Sequence, residues 1–307
     1  MRQKMKVIID TDPGIDDFFA LIMAAGSENL DILGITAVAG NQTMDKIAAN
    51  ALGIAELLEL DAPVSKGAYR PLLAPQITAS VVHGETGLGN FELPEPKRQF
   101  DGRYAWDMIY DIARENPGEV TLIAIGPLTN VAIALMKYPD LNRLLPRIIA
   151  MGGSTGWGNR GAYGEFNFYV DPLAAQLVFN SGIPVDMVGL NVTMQTGMSQ
   201  EEFDELSRLK CRHVNELMHL LDFYRDIYRK NDLGFNIVAM HDSLAVAYAI
   251  DPSLLKMREG YVQVDVSGGP CRGRSIVDWH DTPNARVAVE VDKDRFLNLV
   301  KESFQWF

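Results

Sequence analysis

The 307-residue sequence holds only two cysteines, Cys211 and Cys271. Two thiols make no disulfide framework in a chain of this length, and the expectation is a pair of reduced, unrelated side chains. No cysteines and histidines stand at the spacing of a zinc site. No apolar stretch approaches the length of a membrane helix. The opening residues, Met1 to Asp10, lack the long apolar region and small-residue cleavage site of a secretory signal. Basic residues are outnumbered, with 28 Lys and Arg against 40 Asp and Glu, for a formal net charge of −12. That balance argues against a phosphate backbone as partner, because such binding needs basic patches. There is no internal repeat, low-complexity segment or linker. The expectation from these absences is a cytoplasmic protein with no nucleic-acid and no membrane partner, folded as one domain over residues 1–307. Hydrophobic residues at 47% and charged residues at 22% supply an ordinary globular core.

What is present has a strong periodic order. KVIID (Lys6 to Asp10), DILGITAVA (Asp31 to Ala39), VTLIAI (Val120 to Ile125), Arg147 to Met151 and Val185 to Val188 read as buried strands. Pro63 to Ser65 reads as a short one. Helical patterns follow at Asp16 to Ala25, Met44 to Leu60 and Asn130 to Met136. Continuous apolar strands alternating with helices predict an α/β fold with a mostly parallel, doubly wound central sheet. The loops after these strands read TDPGIDD, AGNQT, GPLTN, GGSTG and GLNVT. Ligands of open parallel sheets bind at the carboxyl ends of the strands, where this polar, glycine-rich material collects, so the active site is expected there. Further on, Ser199 to Lys230 reads as helical, with Tyr224 and Tyr228 one turn apart on a shared face. A β-rich tail (Tyr261 to Val266, Ala285 to Val291) and a last helix from about Asp294 close the chain. Residues 69–102 are rich in Pro and Gly and predict a long loop of the kind that often carries function.

Asp10, Asp12, Asp16 and Asp17 lie within eight residues. So many carboxylates repel one another unless a cation or hydrogen-bond donors compensate them. Pro13 and Gly14 impose a turn that can fold Asp12 back towards Asp17. Helix capping accounts for one or two of the four, not for all of them. Hard oxygen ligands suit Ca²⁺ or Mg²⁺, and Ca²⁺, with its six to eight oxygens, fits a crowded site better than Mg²⁺ does.

The segment DTDPGIDD (Asp10 to Asp17) resembles the N-terminal signature of the inosine–uridine-preferring nucleoside hydrolases. The resemblance continues through AGN (Ala39 to Asn41), HGETGLG (His83 to Gly89), GPLTN (Gly126 to Asn130), MGG (Met151 to Gly153), GNRGAYGEFNFYVDP (Gly158 to Pro172) and the pair His241-Asp242. It implies hydrolysis of the N-glycosidic bond of ribonucleosides by a Ca²⁺-bound water. Asp12, Asp17 and Asp242, with the carbonyl of Ile125, would be the metal ligands. Asp12 would also act as general base, through an oxocarbenium-like transition state. Asp16, Asn41, Asn159, Glu165 and Asn167 match the ribose-contact positions, the last two read here as lying on one strand face. His241 would assist the leaving base, and Tyr224, Tyr228 and His83 would line the base pocket. Asp10 would orient the loop. The resemblance also implies a homo-oligomer, dimer or tetramer.

Plainer roles stand beside several of these assignments. Asn41 alone reads equally as a turn residue, Asp242 as a helix N-cap, His241 as a structural histidine, and the two tyrosines as amphipathic packing. Residues 237–240 read IVAM where many family members have a Pro-containing apolar stretch, so the base-specificity region departs from the pattern. His241 favours the inosine–uridine or broad classes over members that stack purines on tryptophan. Two other functions compete with this one. A strand ending in Asp-x-Asp also marks Mg²⁺-dependent aspartate-nucleophile phosphatases, although Pro13-Gly14 fits them poorly. A non-catalytic Ca²⁺-dependent nucleoside or sugar binding module would use the same ligands without turnover.

Overall fold

Val7, Ile8 and Ile9 send alternate side chains to opposite sides of one strand, and all three are fully buried. A strand with no polar face must be covered on both sides, and this requirement organises the molecule. The computed structural model describes residues 4–89, 91–230 and 238–307. Among these, the strands are β1 (Met5–Thr11), β2 (Leu30–Ala37), β3 (Val64–Lys66), β4 (Val120–Ala124), β5 (Arg147–Met151), β6 (Val185–Val188), β7 (Leu255–Val264), β8 (Ser275–Asp278) and β9 (Ala285–Val291). They form one sheet in the order β3-β2-β1-β4-β5-β6-β9-β7-β8. Pairing is parallel from β3 to β9, and only β7 and β8 run antiparallel to their neighbours.

The period of two divides the core cleanly. Val7, Ile9, Ile35, Ile123 and Ile149 belong to one face, packed with Phe18 and Phe19 of helix Ile15–Ala25, Ile47 of Met44–Leu57, Leu244 of His241–Ile250 and Phe296 of Lys293–Trp306. Ile8, Leu122, Ala124, Ile148 and Ala150 belong to the other, with Ile109 of Ala105–Glu115, Val131 of Thr129–Lys137 and Val178 of Pro172–Phe179. The chain runs from β1 outward through β2 to β3, then crosses back and builds β4, β5 and β6 on the other side of β1. The connections diverge between β1 and β4, which leaves a crevice at their carboxyl ends.

Some boundaries differ from the sequence reading. The helix expected over Ser199 to Lys230 is two helices, Gln200–Leu206 and Val214–Lys230. Between them His213 donates its backbone N–H to the Phe307 carbonyl (3.3 Å) and stacks on the Phe307 ring, so the end of the chain docks into the break. The loop over residues 69–102 contains the short helix Ser80–His83. Glu165 and Asn167 lie on no strand. Glu165 caps the short helix Phe166–Val170, its carboxylate accepting the backbone N–H groups of Asn167 and Phe168 that a helix start leaves unpaired. Cys211 and Cys271 are free thiols. No helix among the described residues is long and apolar enough to cross a membrane.

Leu122 is fully buried at the centre of β4, packed in the second face of the core. Leu122→Ala is expected to destabilise the protein by about 2–5 kcal/mol, read as a lower urea midpoint at unchanged slope. A shift equivalent to under about 1 kcal/mol would mean that this layer is not closely packed.

Candidate active site

The crevice is floored by the acidic loop that leaves β1. Helix Ile15–Ala25 begins at once after Gly14, and its first turn carries Asp16 and Asp17. Asp17 reaches back over the turn. Its Oδ1 accepts from the Thr11 hydroxyl (2.5 Å) and the Asp12 backbone N–H (3.2 Å), and its Oδ2 from the Gly14 N–H (2.9 Å). Asn41, in the loop after β2, ties the two acidic pairs together. Its backbone N–H donates to Asp12 Oδ2 (2.7 Å), and its side-chain amide donates to the Asp12 carbonyl (3.1 Å) and to Asp17 Oδ2 (3.0 Å). Thus Asn41 fills the role of loop clamp as well as lining the cavity.

Two glycines make room for Asp12. A Cβ on Gly40 would sit 2.1 Å from Asp12 Oδ2, and one on Gly126 would sit 2.6 Å from Asp12 Oδ1. The AGN and GPLTN loops therefore press bare backbone against this carboxylate. Asp10 is fully buried beneath the loop, where its Oδ1 accepts from Thr36 (2.6 Å) and from the Asn130 amide (2.7 Å). Asn130 also donates to the Ala37 carbonyl (3.0 Å) and accepts from the Ala68 N–H (2.8 Å), which cross-links β1, β2 and the loop after β3.

Asp242 arrives from the opposite direction, in the first turn of helix His241–Ile250. The N-cap position belongs to Met240, so the plain capping role does not apply to Asp242. Carboxylate oxygens of Asp16, Asp17 and Asp242 come within 4.8 Å of one another. Asp12 stands outside that triplet yet acts on it, its charge raising the Asp242 pKa. Burial first, then the Asp17 charge, pushes Asp12 well above the usual carboxylate range. Burial and the charges of Asp16, Asp17 and Asp12 do the same to Asp242. Burial followed by Asp17 lifts Asp16 to about 7. Asp12 Oδ1 and Asp16 Oδ1 are buried and have no hydrogen-bond partner among the described residues. Clustered hard oxygens with unfilled acceptor capacity are what a divalent cation needs, and an ion would remove the repulsion that raises these pKa values. The donor set therefore fits a hard metal ion.

Above this floor opens a cavity of about 410 Å³, lined among others by Asp16, Asn41, His83, Ile125, Asn159, Arg160, Glu165, Asn167, Tyr224, His241 and Asp242. Its size lies within the range of small-molecule sites. Asn167 donates to the Ile125 carbonyl (2.9 Å) and the Met151 carbonyl (3.1 Å), so the ends of β4 and β5 share one amide. The Glu165 carboxylate also accepts from the Gly153 N–H (3.0 Å), and burial lifts it to about 7. Asn159 is exposed at the rim, its Oδ1 accepting the Phe166 N–H (2.9 Å). The other wall holds the aromatic groups. His83 accepts the Ile15 N–H on Nδ1 (3.1 Å) and stacks with Tyr224, ring centroids 6.0 Å apart. His241 Nδ1 pairs with the Thr193 hydroxyl at 2.7 Å. Burial pushes His83 down to about 3 and His241 to about 4, so both imidazoles are neutral at pH 7. His83 stands 3.9 Å from Asp16 Oδ1, but its Nδ1 already accepts the Ile15 hydrogen bond and carries no proton, so this approach is not an ion pair. The side chain of Tyr228 lies outside the described residues.

The sequence reading missed Thr11, Asn130 and Thr193 as individuals. All three lie in or beside the loops it singled out, where a small polar residue after a buried strand is the available signal.

A parallel sheet with an acidic, sugar-sized cavity at its switch point defines a class of protein. Residues 7–298 match the inosine-uridine preferring nucleoside hydrolase family, and the chain belongs to that family. The pyrimidine-specific ribonucleoside hydrolase RihA of Citrobacter koseri is 38% identical over 308 residues, covering 99% of each chain. The purine-preferring ribonucleoside hydrolase from Gardnerella vaginalis superposes with a TM-score of 0.92 at 35% identity, covering 98% of both chains. A plant nucleoside hydrolase, PpNRh1, reaches 0.93 at 33% identity over 99% of each. The protein is accordingly an enzyme, a ribonucleoside hydrolase. The phosphatase and the binding-module alternatives fall with that finding.

The cluster also governs stability. Asp10, Asp16 and Glu165 titrate near 7 when folded, against 3.8 to 4.5 when free. Folding therefore holds extra protons between about pH 4 and pH 7, and that stability is lost as pH rises through this window. Chelated protein is expected to show a lower Tm at pH 8 than at pH 5.5, with a smaller drop in Asp16→Asn. An equal drop in both proteins would show that Asp16 is not a source of this dependence.

Proposed function

We propose that the enzyme hydrolyses ribonucleosides to ribose and free base, with an inosine–uridine or broad base range, using Asp12 as general base and Ca²⁺ as cofactor. The observation that carries this reading is the convergence of buried, incompletely bonded carboxylates beneath a cavity whose far wall is His83, Tyr224 and His241. In this reading Asp12, Asp17, Asp242 and the Ile125 carbonyl hold the ion. A hard cation supplies Lewis acidity towards water and vicinal hydroxyls, and a site rich in oxygen donors favours Ca²⁺ over the stricter, more strongly hydrated Mg²⁺.

The residues divide the remaining work. Water attacks C1′ as the C1′–N bond breaks, and positive charge spreads over C1′ and the ring oxygen. Asp12 is held through Oδ2 by Asn41, and its unpartnered Oδ1 takes the proton of the attacking water. Asp16, Asn41, Asn159, Glu165 and Asn167 receive the ribose hydroxyls, and the anionic members stabilise the cationic sugar. A 2′-deoxyribose would leave buried polar groups unmatched and should be turned over far more slowly. His83 and Tyr224 border the base. His241 is neutral, and in this reading its N–H hydrogen-bonds the departing base as negative charge builds there. Base range is read as broad because relatives of similar identity are named pyrimidine-specific and purine-preferring.

Incubation with uridine and inosine, followed by a reducing-sugar assay, tests the reaction. Asp12→Ala is expected to fold and to lose at least about 10²–10⁴-fold in kcat, the contribution of positioned proton transfer. Chelation should abolish turnover and Ca²⁺ should restore it. Turnover that survives verified removal of the metal would defeat the cofactor assignment. The Ca²⁺-induced rise in Tm should vanish in Asp12→Asn and persist in Asp16→Asn, and the reverse pattern would exchange their roles.

His241→Ala should slow natural nucleosides by about 10²-fold or more, and should spare an aryl riboside whose leaving group needs no hydrogen bond. Equal losses on both substrates would remove His241 from leaving-group assistance.

A further inference from the structure

The cavity lining carries one unexplained charge. Asp16, Glu165 and Asp242 are its acidic residues, and Arg160 is the only lysine or arginine among the described residues that line it. Its guanidinium makes no hydrogen bond or ion pair with the described residues, and it is exposed at the mouth. The backbone that carries it is fixed. Arg160 and Gly164 form an antiparallel bridge, with the Arg160 N–H donating to the Gly164 carbonyl at 2.9 Å. The flanking Trp157 and Tyr163 rings stack with centroids 5.8 Å apart. Arg274 packs over the Tyr163 ring, 4.8 Å from its centroid, which puts a second guanidinium behind the same hairpin. A neutral nucleoside gives such a residue no opposite charge to pair with.

Sugar geometry says which part of a ligand would meet it. In a ribofuranose, C1′ and C4′ lie on opposite sides of the 2′,3′-diol. If the diol rests on the acidic floor and the base against His83, Tyr224 and His241, the 5′ carbon is left to the remainder of the lining, to which Asn159, Arg160 and Glu165 belong. We propose that Arg160 forms a subsite for an anionic 5′ substituent, so that the enzyme also cleaves nucleoside 5′-monophosphates. This rests on the orientation of ribose and base given under the proposed function. Water would add its oxygen to C1′, the C1′–N bond would break, the base would leave carrying a proton, and ribose 5-phosphate would be the second product. Arg160 suits the role because its planar fork matches phosphate oxygens two at a time, and at the open mouth the phosphate stays hydrated and away from the carboxylate floor.

The test compares uridine and uridine 5′-monophosphate on the Ca²⁺-loaded enzyme, with free uracil and ribose 5-phosphate measured by mass spectrometry. The quantity of interest is the ratio of kcat/KM for the nucleotide to that for the nucleoside. In Arg160→Ala the ratio should fall about tenfold, the worth of a hydrogen bond to a charged group, and Arg160→Lys should recover part of it. Raised salt should weaken nucleotide turnover more than nucleoside turnover. An enzyme that cleaves uridine but yields no ribose 5-phosphate from the nucleotide overturns the subsite. So does a ratio that does not move in Arg160→Ala. Failure to cleave uridine itself would overturn the reading of the reaction, and the subsite with it.

Discussion

Four carboxylates are forced together at the end of a strand that is buried on both faces, and the rest of the structure is arranged to tolerate them. Taking even one ionised carboxylate out of water is strongly unfavourable unless donors or a cation compensate it. The chain supplies as many donors as a tight loop can offer: Thr11, the backbone of Asp12 and Gly14, and the backbone and amide of Asn41. These settle Asp17 completely and Asp12 by half. Asp12 Oδ1 and Asp16 Oδ1 are left without a partner among the described residues, and Asp16 converges with Asp17 and the incoming Asp242. Local stability is given up where function needs an open valence.

Such an arrangement needs a rigid support, and the sheet topology provides it. The strands that flank the switch point, β1 and β4, meet at Asp10 and Ala124 in register, with the Ile125 N–H donating to the Asp10 carbonyl at 2.8 Å. The Ile125 carbonyl is therefore fixed relative to the acidic loop by the ladder itself. Asp10 and Asn130 extend that stiffness sideways into β2 and the loop after β3. A one-residue change of register in any of these pairs would turn the whole floor to the wrong face.

Much of this was legible in the sequence, for an identifiable reason. Buried parallel strands read as short unbroken apolar runs, and the polar loops after them stand out by contrast, so the sheet and the location of the site followed from composition along the chain. Pairing between distant segments was legible only through likeness. Nothing local to His241-Asp242 says that it meets Asp16 and Asp17, and nothing in GPLTN says that Gly126 and Asn130 serve two different aspartates. The reading of Glu165 and Asn167 as strand residues failed because an apolar run of five residues fits a strand and a short helix alike. The capping carboxylate of Glu165 decides between them, and its partners are backbone atoms that no sequence pattern displays. The break between residues 206 and 214 was hidden for the same reason, since it depends on the docked Phe307.

The site separates into a part that the fold dictates and a part that it leaves open. The floor is built from strand ends and the first turns of two helices, with hydrogen bonds crossing several elements. The wall facing it comes from the helix Val214–Lys230, the short helix Ser80–His83 and the loop between β3 and β4, which contact the sheet much less. Proteins named for opposite base preferences share the overall fold or a third or more of their residues with this chain. In the proposed reaction, selectivity for the base then falls to segments that can change without disturbing the acidic floor, among them the wall of Tyr224 and His83. His241 belongs to both parts, its ring lining the cavity and its neighbour Asp242 joining the floor. A change of base preference that keeps catalysis is then more accessible through the helix and loop than through His241.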